Sequence, residues 1–191
     1  MELVKQALEL GHTVTALVRN PAKMTIKHPN LTTVHANIME TESLAAHLKG
    51  QDAVICTLGP KSLTAPLLEP AFTALVPAMQ ATGVSRVILM SAYTAYPGYR
   101  PSLLMRFPVR ILRKTVQDKQ KSEALLKKSG LEWTIIYPTR LTNGPLTGKY
   151  QILDSVPGGL RHHTSRADVA DFILQELADR NSIGKSPVIS S

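Results

Sequence analysis

Cysteine is nearly missing from this 191-residue sequence. Its single thiol, Cys56, has no partner for an internal disulfide, which excludes a disulfide-stapled scaffold and fits a reducing compartment. Because Cys56 stands within the apolar run Asp52 to Leu58, it reads as a small buried residue rather than a redox thiol. Aromatic residues supply 5% of the chain and no nucleic-acid-binding motif accompanies them, so no specific nucleic-acid partner is expected despite a net charge of +8. No stretch is long and apolar enough to span a bilayer, and no membrane partner is expected. Met1-Glu2 is followed by no basic n-region or cleavage site, and a cytoplasmic location is expected. His162 and His163 are neighbours that would point to opposite sides of a strand, with no acidic or cysteine cluster nearby, so no metal site is expected.

What is present is an ordinary globular balance, 43% hydrophobic and 19% charged, in a length suited to one domain over residues 1–191. Strand and helix signals alternate throughout, which predicts an α/β fold with a mainly parallel sheet. Strands are expected at His12 to Val18, Leu31 to Ala36, Asp52 to Leu58, Val84 to Ser91 and Leu131 to Tyr137, with a final edge strand at Lys185 to Ser190. Helices are expected at Met1 to Leu10, at Thr41 to Leu48 with Thr41 as cap, at Pro66 to Thr82 with a kink at Pro77, from Pro108 to Ser129, and at Ser165 to Leu177. Ser165 and Asp168 resemble a capping box. Pro97 to Pro108 and Pro138 to Gly148 read as loops. Much of the basic excess falls between Arg100 and Lys128, a field suited to a polyanionic cofactor and an acidic small molecule.

The most informative junction runs from Met1 through Gly11 to Arg19. A short amphipathic helix, a glycine stop and a buried strand ending in arginine form the second half of a dinucleotide-binding βαβ unit, where arginine meets the 2′-phosphate of NADP. The preceding strand and Gly-rich phosphate loop are absent from the sequence, which reads as an N-terminally truncated, Rossmann-like doubly wound domain. The missing strand would lie between His12 to Val18 and Asp52 to Leu58. Both strands are therefore expected to have an open edge, with low stability and weak NADPH binding as consequences. Open sheets of this kind bind ligands beyond the carboxyl ends of their strands. Here those exits are Arg19-Asn20, Asn37-Ile38, Leu58-Gly59, Ser91 and Pro138-Thr139-Arg140.

Several segments resemble the NADPH-dependent flavin reductase and biliverdin reductase B family, an atypical short-chain dehydrogenase/reductase branch close to NmrA-like proteins. They are Arg19, Gly50 to Ile55 with Leu58-Gly59, Ser91-Ala92, Ser129-Gly130-Leu131, Pro145-Leu-Thr-Gly148 with Tyr150, and Ser165 to Leu174. The resemblance implies that Arg19 and Lys23 hold the 2′-phosphate, Asn37 and Ile38 flank the adenine, and Leu58 and Gly59 line the cofactor's middle. It also implies that Ser91 lies near the nicotinamide, with Pro138, Thr139 and Leu141 walling that side. Arg140 stands where those reductases have histidine. Being permanently charged it cannot relay a proton, but it can hold an anionic substituent. Lys61 and Lys119 are further substrate candidates, with Ser91 and Arg140 the catalytic ones. No Tyr-x-x-x-Lys pair is present among Tyr93, Tyr96 and Tyr99.

The implied activity is NADPH-dependent hydride transfer to a planar acceptor such as flavin, biliverdin or a quinone, with flavin as substrate rather than bound cofactor. A non-catalytic NADP sensor of NmrA-like type and an inactive truncated product are the alternatives. The oligomeric state is left open.

Overall fold

Three consecutive apolar strands, β3 (Ala53–Cys56), β4 (Arg86–Met90) and β5 (Glu132–Pro138), lie side by side and parallel at the centre of the molecule. The computed structural model describes residues 1–59, 65–101, 103–153, 155–156 and 162–191. Alternation along β4 sends Val87 and Leu89 to one face of the sheet and Ile88 to the other, and all three are fully buried. The first face is covered by α2 (Thr41–Leu48), α3 (Leu68–Thr82) and α5 (Arg113–Lys127), through Leu44, Leu48, Phe72, Met79 and Leu126. The second is covered by α6 (Arg166–Ala178) and α1 (Glu2–Glu9), through Val169, Phe172, Ile173 and Leu3. Burial on both faces is why these strands read as continuous apolar runs. This is an α/β Rossmann-like fold with a mostly parallel sheet.

The central sheet continues from β5 to β9 (Val188–Ser190) and ends on β7 (Gln151–Leu153), which runs antiparallel to β9. The expected edge strand at the end of the sequence is therefore interior, because β7 adds a further edge outside it. Two short parallel pairs stand apart. β1 (Val14–Leu17) pairs with β2 (Leu31–Val34), and β6 (Arg140–Thr142), within the expected loop, pairs with β8 (His163–Ser165). Among the described residues no strand lies between β1 and β3, and each has a single strand neighbour. The residues of β1 are only half-buried, as are the first three of β3.

Other expectations need correction. Thr41 is the first residue of α2 and makes no capping bond, the N-cap position falling to Glu40. The segment read as a loop to Pro108 instead enters α4 (Leu103–Ile111), and the chain turns at Leu112 into α5, so one expected helix is two. The α3 helix begins at Leu68 rather than Pro66 and, as expected, stops at Gly83, whose φ of 76° favours a residue without a β-carbon.

Half of the expected capping box at α6 is present: Ser165 Oγ accepts from Asp168 N at 2.8 Å, but the Asp168 side chain does not return to Ser165 N. The Asp168 carboxylate turns to the Pro145–Gly148 segment, accepting from Thr147 N at 2.7 Å, Gly148 N at 3.0 Å and the Thr147 hydroxyl. Burial alone would raise this carboxyl; the N–H donors of Thr147 and Gly148 more than offset it and hold it below its ordinary value. Asp168→Ala is expected to cost about 1–3 kcal/mol at neutral pH by orphaning these donors. A carboxyl depressed in the folded state contributes stability above its unfolded pKa, 3.8, and loses it as pH falls through the lower folded value. Urea unfolding of both proteins should therefore show the gap narrowing below pH 3.8, and a gap constant with pH would contradict this account.

Candidate functional site

The carboxyl ends of β3, β4 and β5 share one register, with Cys56 opposite Leu89 and Leu89 opposite Ile135. Two residues on, Ser91 and Tyr137 come to the same face, the one covered by α5. Ser91 N donates to Ile136 O at 2.8 Å, which extends the ladder to this point. From α5 the Glu123 carboxylate reaches both side chains. Ser91 Oγ donates to Glu123 Oε1 at 2.5 Å and the Tyr137 hydroxyl donates to Oε2 at 2.6 Å. All three residues are buried. Desolvation pushes the Glu123 carboxyl above its ordinary range, and the Ser91 and Tyr137 hydrogen bonds and nearby lysines pull it back only in part. Burial, then the neighbouring Glu123, pushes the Tyr137 phenol far up. Its ring packs edge-on against Tyr96, with centroids 5.1 Å apart.

One turn earlier on α5, Lys119 is also buried, and desolvation lowers its ammonium pKa. Cys56 lies within its electrostatic reach, and burial pushes that thiol up, as suits an unreactive packing residue. Beside Lys119, Asp118 accepts the N–H groups of Leu67, Leu68 and Glu69, each at 2.9 Å, which fixes the N-terminus of α3. Thus α5 packs through a row of polar groups, Asp118, Lys119, Ser122 and Glu123.

The other sequence-named residues spread along the same edge. Arg19 and Lys23 are exposed just beyond β1, where the Asn20 side chain accepts from Ala22 N and starts a short 3-10 turn. No ion pair among the described residues engages either. Asn37 follows β2, and its amide is used locally, accepting from Met39 N and donating to Glu40 at 2.5 Å. Ile38 and Leu58 are half-buried against the main core. Gly59 is exposed, and a β-carbon there would meet nothing within 4 Å. Pro138 and Thr139 are buried where β5 meets β9, with Thr139 N donating to Ile189 O at 3.0 Å. Arg140 is exposed on β6 opposite His163, and Leu141 packs against the second core cluster. Lys61 lies outside the described residues. No cluster of metal-ligating side chains is present among the described residues. No helix among them is long and apolar enough to cross a membrane.

The structure thus brings Ser91 and Lys119 to one polar cluster and leaves Arg19, Asn37 and Arg140 at separate strand exits. Glu123 and Tyr137 were missed from the sequence. A signal was available, since Glu123 follows Lys119 at helical i,i+4 spacing on a face that also carries Leu126.

A family model described as NAD(P)H-binding matches residues 1–180. The chain belongs to the NAD(P)H-binding family. Over 180 residues it is 29% identical to the Bacillus subtilis protein named uncharacterized sugar epimerase YhfK, covering 90% of this chain and 78% of that one. The crystal structure of the oxidoreductase ylbE from Lactococcus lactis superposes with a TM-score of 0.83 at 26% identity, covering 98% of this chain and 84% of that chain. A short-chain dehydrogenase/reductase (wide type) from Veillonella parvula, solved in complex with NADP, gives 0.81 over 100% of this chain and 88% of that one. At 20% identity the latter likeness shows the fold. The family's neighbours are epimerase- and reductase-like NAD(P)-binding proteins.

The raised carboxyl of Glu123 carries a sign for stability. A group that binds its proton more tightly when folded favours folding below its unfolded pKa, 4.5, and that contribution is lost as pH rises through the folded value. Glu123→Gln, which cannot ionise, should remove this part of the pH dependence. Glu123→Ala should destabilise at every pH, by about 1–3 kcal/mol for each orphaned hydroxyl. Denaturant titrations from pH 4 to 8 check both, and an unchanged pH slope in Glu123→Gln would show that the carboxyl is not perturbed.

Proposed function

We propose that this NAD(P)H-binding protein is an NADPH-dependent reductase that passes a hydride to a planar, electron-poor acceptor such as a flavin or biliverdin. The observation that carries the reading is the state of the groups at the ends of β4 and β5. Ser91 offers a hydroxyl held by a buried carboxyl, while the Tyr137 phenol is bonded to Glu123 and pushed up in pKa. Chemistry on an alcohol or a sugar, which the name of the Bacillus relative suggests, needs a side chain ready to take a hydroxyl proton, and Tyr137 is poorly suited to that. Reduction of a conjugated ring system asks chiefly for orientation.

The residues present fit a phosphorylated dinucleotide. Arg19 and Lys23 are exposed cations beyond β1, suited to a 2′-phosphate, and Gly59 leaves open space for close backbone approach. Asn37 and Ile38 would flank the adenine, Leu58 and Gly59 the middle of the cofactor, and Pro138, Thr139 and Leu141 the nicotinamide side. When bound, the nicotinamide supplies the hydride. Ser91, aligned by Glu123, hydrogen-bonds beside the transfer site. Arg140, fixed by the β6–β8 pair, attracts a carboxylate or phosphate on the acceptor, and Lys119 adds to the positive field. Solvent delivers any proton the acceptor needs.

NADPH oxidation with FMN, biliverdin and a quinone, measured beside NADPH binding, tests the proposal. In a chain carrying the preceding strand and phosphate loop, Arg19→Ala should weaken NADPH far more than NADH, by roughly tenfold to a hundredfold, the equivalent of about 1.5–3 kcal/mol for a charge-assisted contact. Ser91→Ala and Arg140→Ala should lower acceptor reduction more than NADPH affinity, with Arg140→His retaining some activity. Tight NADPH binding without turnover on any acceptor would instead make the protein a nucleotide sensor.

A further inference from the structure

On α4, Leu103, Phe107 and Ile111 recur every four residues and are 80%, 73% and 54% exposed. At about 100° per residue this spacing draws them into one stripe roughly 80° wide along the helix. Three large apolar side chains so exposed in a single line differ from the scattered exposed leucines that any surface carries. The surrounding charge has one sign. From Arg100 to Gln117 the sequence has five cations, Arg100, Arg106, Arg110, Arg113 and Lys114, and no acid. Of these, Arg100, Arg110, Arg113 and Lys114 are exposed. Arg110 stands seven residues after Leu103, about 20° around the helix from it, which places it at the margin of the stripe.

We propose that α4 docks on an anionic lipid surface, with Leu103, Phe107 and Ile111 entering the headgroup–acyl boundary and the flanking cations meeting lipid phosphates and carboxylates. An apolar stripe edged by lysine and arginine is the composition of an interfacial helix. A second copy of this chain is disfavoured as the occupant, because a two-fold contact would set each cationic flank against its own image with no acid in the segment to relieve it. Nucleic acid would satisfy the cations and leave the three apolar side chains in water. The sequence-level expectation of no membrane partner rested on the absence of a spanning segment, and a helix lying in the interface needs none. The proposal is independent of the reductase reading.

The test is co-sedimentation of the full chain with vesicles of phosphatidylcholine alone and of phosphatidylcholine with 30% phosphatidylserine, at about 0.1 M salt and again at about 0.5 M. Binding is expected to the mixed vesicles at low salt, and at least tenfold less to neutral vesicles or at high salt. The triple variant Leu103→Ser, Phe107→Ser, Ile111→Ser and the separate pair Arg110→Glu, Arg113→Glu should each reduce binding at least tenfold. The circular dichroism spectrum should not change, since all five side chains are exposed. Should the triple variant misfold, the charge pair decides. Absence of binding to the mixed vesicles, equal binding to both compositions, or undiminished binding by the folded variants would overturn the proposal. So would a sedimentation-velocity result in which the parent is a dimer that the triple variant dissolves, because the stripe would then be covered by a second copy.

Discussion

A carboxylate without bulk water must find its donors inside the protein, and Glu123 finds them in two strands at once. Its oxygens accept from Ser91 at the end of β4 and from Tyr137 near the end of β5. The same helix carries Asp118, which accepts three N–H groups at the start of α3. Two acids five residues apart thus tie one helix to the sheet edge and to its neighbouring helix. This arrangement lets a helix as polar as α5 sit against a core at all, because the usual driving force for packing, a broad apolar face, is small here. It also restricts how the site can vary. Moving α5 would disturb the Ser91 hydroxyl, the start of α3 and the Lys119 ammonium together.

The α/β class and the central strands were legible because strands buried on both faces must be apolar throughout, and Ala53–Cys56, Arg86–Met90 and Glu132–Pro138 are nearly so. Helix α6 was legible from Ser165 and Asp168, whose capping bond is local. Strand order was not. The interior place of Val188–Ser190 depends on its pairing with Tyr137 and Pro138 and on the arrival of Gln151–Leu153 outside it, neither of which leaves a local mark. Helix α4 was obscured by Pro101 and Pro108, which read as loop punctuation although Pro108 stands inside the helix. Within the polar cluster, Ser91 stood out in the sequence from its position at a strand exit. Glu123 and Tyr137 were not, because a glutamate on a lysine-rich helix looks solvated and a tyrosine in a strand looks like packing.

The Pro145–Gly148 segment illustrates how a recognisable motif divides between structure and chemistry. Its Thr147 and Gly148 donors are held by Asp168, and Tyr150 close behind donates to Asp171 at 2.7 Å. Both acids lie on α6, so the segment is a latch that carries the chain from the end of β6 across that helix toward β7. The residues that carry the resemblance here therefore serve the fold's wiring. Arg19, Asn37 and Arg140 stand apart from this segment, at the exits of the strands.

The place of β9 has a consequence for how the molecule is made. On a ribosome, β3, β4 and β5 can pair as they emerge, but the far edge of β5 stays open until residues 188–189 are available to meet Tyr137 and Pro138. Strand β7, although synthesised earlier, has its pairing partner in the same late segment. The sheet therefore closes from its middle in a final step of long sequence separation, which topology makes slow. During that interval the nascent protein presents the unpaired edge of β5 in addition to that of β3, and such edges are the feature by which chaperones and aggregates alike capture incomplete chains.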